Sequence, residues 1–231
     1  MSNNTTSPPA ISPTPRQDNT PDPSCAFCTI ATNFPPRSPK NPGESEWDPE
    51  RIDPPGYVIL STPDVIAFLD IAPLTRGHVL VAPRKHRVKM ADLDSRTASE
   101  LGRLLPLIAR SVLRAVLPDV EVSEADYNIV QNNGQRAAQV VPHIHFHIVP
   151  RPPDGYSTKQ HSNFYADTPK YTPKQNGYIM FGRGMRTELD DEDAVILARS
   201  MRERVAEEVE RVRKEEGVDL LRASWGEGER L

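Results

Sequence analysis

Only two cysteines occur in 231 residues, Cys25 and Cys28, spaced as C-x-x-C. A disulfide-stapled scaffold is thereby excluded, and in a chain showing no secretory leader the pair points to thiol metal binding or redox chemistry. Long apolar runs are missing as well. No stretch approaches the roughly 20 residues of a membrane span, and the opening MSNNTTSPPAISPTPRQDNTPDP lacks the apolar run of a signal peptide. A soluble chain is expected, cytoplasmic, with nuclear entry open at this size. Nor is positive charge in excess. Lys and Arg number 28 against 32 Asp and Glu, a net charge of −4, which argues against a general affinity for nucleic-acid phosphates. Internal repeats are absent.

Proline is plentiful but unevenly placed: 13 of 24 fall within the first 55 residues. Residues 1–23 are expected to form a disordered tail, since they offer too little apolar surface to offset chain entropy. Residues 35–56, PPRSPKNPGESEWDPERIDPPG, read as a Pro-rich insertion between CAFCTIA and the body of a domain spanning 24–217. A tail is expected over 218–231.

From Tyr57 onward the pattern is regular. YVIL, VIAFLD and HVLVAP read as strands of an antiparallel meander, divided by STPD and by the Arg76–Gly77 turn. TASELGRLLPLIARSVLRAVL carries apolar residues at helical spacing, with Thr97 and Glu100 placed for a capping box and Pro106 expected to kink or break it. YNIVQ reads as a further strand and residues 178–181, YIMF, as a short one. Residues 190–217 form a second helix, acidic in its first turn and basic in its last, with Val195, Ala198, Met201, Val205, Val209 and Val212 as its apolar stripe.

The densest signal is VVPHIHFHIVPR, residues 140–151. Alternation along a strand sends successive side chains to opposite faces. Ile144, Phe146 and Ile148 are expected on the core face, and His143, His145 and His147 on the other, ~6.7 Å apart along the strand. Three imidazoles on one face offer nucleophile, acid, base or metal-ligand chemistry near neutral pH. One reading is an open catalytic metal site, although strand spacing strains convergence of the outer pair.

HIHFHIV, together with AFLDIAPLTRGHVLVAPRKH (67–86) and NIVQNNGQRAAQVVPHIHFHIVPR (128–151), resembles the histidine triad (HIT) superfamily of nucleotide hydrolases and transferases. CAFC is similar to the N-terminal C-x-x-C of its zinc-containing Hint-type members. The resemblance implies an α+β fold with a five-stranded antiparallel sheet and two helices, usually paired as a homodimer. It implies that His145 is the nucleophile at the α-phosphorus of a purine nucleotide, that His147 contacts the non-bridging oxygens, and that Asn132 bonds phosphate or leaving group. Gln139 is a further phosphate-side candidate. Asp70 falls at the ribose-binding carboxylate, with Phe68, Leu69 and Ile71 lining the base pocket. Cys25, Cys28, His86 and His143 fall at the ligands of a structural zinc, and His78 at a supporting position. His161 matches no role.

Val140 departs from the pattern, for many members carry Ser or Thr there to assist the leaving group. Adenosine 5'-monophosphoramidase activity is the leading expectation, with Fhit-type hydrolysis of dinucleoside polyphosphates, or a nucleotide-binding scaffold of weak activity, as alternatives. An aprataxin-like enzyme acting on DNA ends would need a second cysteine pair or a strongly basic tail, and the sequence has neither.

Overall fold

A computed structural model describes residues 21–39, 47–153, 156, 186 and 188–220. The expected strand at 178–181, His161, and most of both expected tails lie outside the described residues, as do residues 40–46 of the Pro-rich insertion. Five strands form one antiparallel sheet: β1 (Val58–Ser61), β2 (Val65–Leu69), β3 (Val79–Pro83), β4 (Asp126–Gln131) and β5 (Phe146–Arg151). Their spatial order is β1-β2-β3-β5-β4. The meander of the first three is as expected, and β5 inserts between β3 and β4, with His147 opposite Leu80 on one side and Val130 on the other.

Every residue of β2 and β3 is buried because both faces of the sheet are covered. Val65, Ala67, Leu69, Val79 and Val81 pack against the two long helices, α2 (Ser95–Val116) and α3 (Asp191–Glu215). Ile66, Phe68, Leu80 and Ala82 pack in a second core with α1 (Ala26–Asn33). Strands buried on both faces read as continuous apolar runs. The eight-residue α1 was not expected, since two turns are too few to show a periodicity.

Three local expectations need correction. The cap of α2 is Asp94, whose carboxylate accepts the Thr97 N–H at 2.8 Å; Thr97 and Glu100 are buried inside the helix, Glu100 against Arg103. Proline at position 106 neither breaks nor ends α2. It and Gly102, whose carbonyl loses its usual donor, both lie on the exposed side, where water can serve that oxygen. In α3, Val195 is 48% exposed, and Ala194 and Leu197 take its place in the buried stripe.

Candidate active site

The histidine segment is not one strand with a ladder of three imidazoles. Strand pairing begins at Phe146; Ile144 instead donates its N–H to the Arg87 carbonyl, and the chain there turns His143 away from the other two. His145 and His147 stay neighbours on the α1 face of the sheet, ring centroids 4.8 Å apart.

His143 faces the cysteines. Its Nδ1 lies 3.4 Å from Cys25 Sγ and 3.7 Å from Cys28 Sγ, while His86 Nδ1 lies 3.3 Å from Cys28 Sγ. All four side chains are buried, and their ligand atoms fall within 4.8 Å of one another. A tetrahedral zinc with ordinary Zn–S and Zn–N bonds separates S from N by about 3.6 Å, so the spacing fits such an ion. The orientation fits too. His143 Nε2 donates to the Pro83 carbonyl at 2.8 Å, which leaves Nδ1 unprotonated toward the thiols, as a metal ligand requires. With both nitrogens so directed, His143 has none to share with His145 and His147, and the single-metal reading of the triad fails.

His145 and His147 line a cavity of about 440 Å³. Phe68, Leu69, Asp70, Ile71 and Asn132 line it as well, so the structure brings together most of the residues singled out from the sequence. Gln139 is not among them: its amide is spent inside the loop, accepting from Gly134 N at 2.6 Å and donating to Val88 O at 2.7 Å. Val140, 90% exposed, stands at the cavity rim.

The protonation pattern follows from the neighbours. His145 Nδ1 donates to the His143 carbonyl at 2.7 Å, so Nε2 carries the lone pair. Burial lowers the pKa of His145 and keeps the ring neutral. Beside it, Leu74 N–H donates to His78 Nδ1 at 3.2 Å, which puts the His78 proton on Nε2. That nitrogen meets His147 Nδ1 at 2.9 Å, and the His147 proton is thereby assigned to its own Nε2. One imidazole offers a lone pair and its neighbour an N–H. Burial first, then the adjoining histidines, pushes His147 down to about 3; burial likewise takes His78 down to about 4, against the opposing pull of Asp70.

Several wall residues escaped the sequence reading. Phe27 and Ile30 of α1, and Ile52, Pro54 and Pro55 of the Pro-rich insertion, form the apolar end of the cavity. Phe27 stands edge-on to both Phe68 and His145, centroids 5.2 and 5.0 Å away. The apolar residues between and after the cysteines were the available signal. Arg186 also lines the cavity, and it donates to Asp70 Oδ2 at 2.8 Å.

Fold and site together define an α+β protein whose sheet face carries a neutral imidazole pair above a buried thiol–imidazole cluster. The chain belongs to the HIT domain family, which its residues 53–154 match. It is 40% identical over 104 residues to an adenosine 5'-monophosphoramidase of Schizosaccharomyces pombe, covering 45% of this chain and 71% of that protein. A namesake from Candida albicans is 34% identical over 98 residues, covering 42% of this chain and 62% of that one, so the chain spans under two thirds of that relative. Among solved structures, a histidine triad nucleotide-binding protein from Sulfolobus tokodaii superposes with a TM-score of 0.53 at 23% identity, over 87% of this chain and 100% of that chain. That likeness concerns the fold.

Proposed function

We propose that the chain is a nucleotide hydrolase or transferase of the Hint-type branch, acting at the α-phosphate of purine nucleotides, with adenosine 5'-phosphoramidates as its leading substrates. The observation that carries this is the His145 ring, with Nδ1 tied to a carbonyl and Nε2 left as a free lone pair beside the cavity. The names of the yeast relatives support the substrate class.

In the first step His145 Nε2 attacks the α-phosphorus, and the bond from phosphorus to the leaving amine breaks as that nitrogen takes up a proton from solvent. The His147 N–H stabilises charge gathering on a non-bridging oxygen, as does Asn132 from its loop. Water then attacks the nucleotidyl-histidine, releasing the mononucleotide and the neutral ring. Splitting one displacement into two replaces a weak nucleophile with an oriented one. Asp70 holds the ribose hydroxyls, and Phe68, Ile71 and Phe27 enclose the base, whereas the Leu69 side chain belongs to the core beneath the long helices.

Cys25, Cys28, His86 and His143 hold zinc in this proposal. Four such protein ligands would leave a zinc ion no open position for water, and its contribution would be to pin α1, and Phe27 with it, against the sheet. A homodimer joined at the sheet belongs to the same reading, supported by Tyr127 and Ile129, which stand 41% and 44% exposed on β4 at the sheet edge. So does a cytoplasmic and nuclear distribution, which imaging of the tagged chain tests.

One observation favours a second reading. Val140 offers no hydroxyl to protonate a departing amine, whereas a polyphosphate leaves without a proton, which favours dinucleoside polyphosphates. The test of both is to mix the protein with adenosine 5'-phosphoramidate or diadenosine triphosphate and quench in alkaline denaturant, which spares the acid-labile phosphorus–nitrogen bond. Mass spectrometry is expected to find adenylate on His145. Turnover with no adduct, or an adduct on another residue, would refute the covalent role.

A further inference from the structure

Arg186 lies beyond the residues that match the family, yet it closes one wall of the cavity. Its Nη1 donates to Asp70 Oδ2 at 2.8 Å and to the Ala72 carbonyl at 2.6 Å. The start of α3 is held to the same region by three more links. Leu189 N–H donates to Ile71 O at 3.2 Å, the Tyr57 hydroxyl to Asp191 at 2.6 Å, and Arg76 to both oxygens of Asp193 at 2.7 Å.

The oxygen that Arg186 engages is also 3.4 Å from His78 Nδ1. A carboxylate facing an imidazole nitrogen favours a proton on that nitrogen. Here, however, His78 Nδ1 accepts the Leu74 N–H and must be unprotonated. The guanidinium on the same carboxylate oxygen is what offsets the pull. We propose that Arg186 is a positioning residue: by neutralising Asp70 it keeps the His78 proton on Nε2, and thereby keeps the His147 proton on Nε2, the nitrogen left to face the nucleotide phosphate.

Without that cation each ring still holds one proton, but both protons change nitrogens. His78 Nδ1–H turns to Asp70, and Leu74 N–H loses its acceptor. His78 Nε2 becomes an acceptor, His147 Nδ1–H donates to it, and His147 Nε2 is left with a lone pair toward the phosphate oxygens. An attractive contact becomes a repulsive one. Among the described residues, the charged and titratable groups facing the histidine pair are Asp70, Arg186, Arg151 on the cavity wall, and His145 beside His147. Arg186 contributes to the lowered pKa values of His78 and His147, whereas Asp70 opposes them, so the charge balance has the required sign.

The catalytic consequence rests on the function proposed above; the tautomer does not. In the full-length protein, long-range proton–nitrogen correlation spectra report which nitrogen of His78 and of His147 is protonated, without substrate. The wild type is expected to show Nε2–H on both rings, and Arg186→Met to show Nδ1–H on both, with Arg186→Lys retaining the wild-type pattern. With adenosine 5'-phosphoramidate, Arg186→Met is expected to lower kcat by about 10- to 100-fold, less than outright loss of an oxyanion donor because the rings can still flip back. Its acid limb should move to higher pH, and Arg186→Lys should restore most of the rate. Nδ1–H on His78 in the wild type overturns the proposal even if no variant folds, and so do unchanged tautomers in Arg186→Met. A rise in KM alone, with the rings unchanged, would assign Arg186 to substrate binding instead and equally overturn it. A wild type inactive on nucleotides but with the expected tautomers would sink only the functional reading.

Discussion

The imidazole of His145 is fixed through the carbonyl two residues behind it, Nδ1 donating to the His143 oxygen at 2.7 Å. The same residue 143 is held by the thiols of Cys25 and Cys28 and by the Pro83 carbonyl. Aim of the nucleophile and integrity of the buried cluster therefore share one short piece of chain. His145→Ala is expected to abolish turnover. His147→Ala, which removes one donor but spares the nucleophile, is expected to leave a rate lower by a factor of about 10²–10³. Steady-state kinetics on purified variants decide it, and near-normal rates in both would remove the basis of the assignment.

Elemental analysis of the purified protein is expected to find one zinc per chain. Cys25→Ser and Cys28→Ser should each lose it, because a hydroxyl is a poor replacement for a buried thiolate. Binding free energy in such sites is folding free energy, so a chelator should lower Tm in the wild type and leave the Cys28→Ser variant nearly unmoved. Full metal content after both cysteines are replaced would contradict the ligand set.

How much of this could be read from residues alone depends on the range of the signal. The five strands and two long helices were legible because each is a run of apolar residues bounded by turn residues or caps, and such patterns are local. α1 was not, being only two turns long. The α2 cap was misread by three positions because Asp94, Thr97 and Glu100 all suit a helix start, and burial decides among them. The alternation of His143, His145 and His147 suggested one shared face, but alternation holds only where the strand continues, and the contact of Ile144 with Arg87 ends it. Long-range pairings carry no local mark. The proximity of Cys25 and His143, 118 residues apart, was implied only by family likeness, and that of Arg186 and Asp70 not at all.

Acid should destabilise the fold through the buried pair. His78 titrates near 6.5 in the unfolded chain and at about 4 when folded, because burial disfavours its charged form. Between these values the unfolded state binds the extra proton, so stability rises with pH. The contribution is fully present above about pH 6.5 and is lost as pH falls toward 4, by ~3 kcal/mol for this one group. Urea melts from pH 7 to 4.5 should show that slope, and His78→Asn should flatten it relative to wild type. An equal slope in the variant would assign the loss to other groups.

Gly77 joins the turn that carries Arg76 and His78 to the packing of the long helices. Its φ is +82°, and a Cβ placed there would lie 2.5 Å from Val116 Cγ1 and 3.3 Å from Met201 Cε. Two penalties therefore act together. A left-handed conformation costs a residue with a side chain ~1–2 kcal/mol, and forcing an extra carbon into a filled core costs ~1–3 kcal/mol. Val116 belongs to α2 and Met201 to α3, so relief would require moving one of two helices that pack on each other and on the sheet. Gly77→Ala is expected to lose about 2–5 kcal/mol, seen as a fall in Tm of about 4–20 °C for a chain of this length. Because the turn sets His78, and His78 orients His147, the folded fraction of the variant should also be slower than wild type at a temperature well below its Tm. A variant with unaltered Tm would mean that the helices yield at little cost and that the turn is not held as tightly as these distances require.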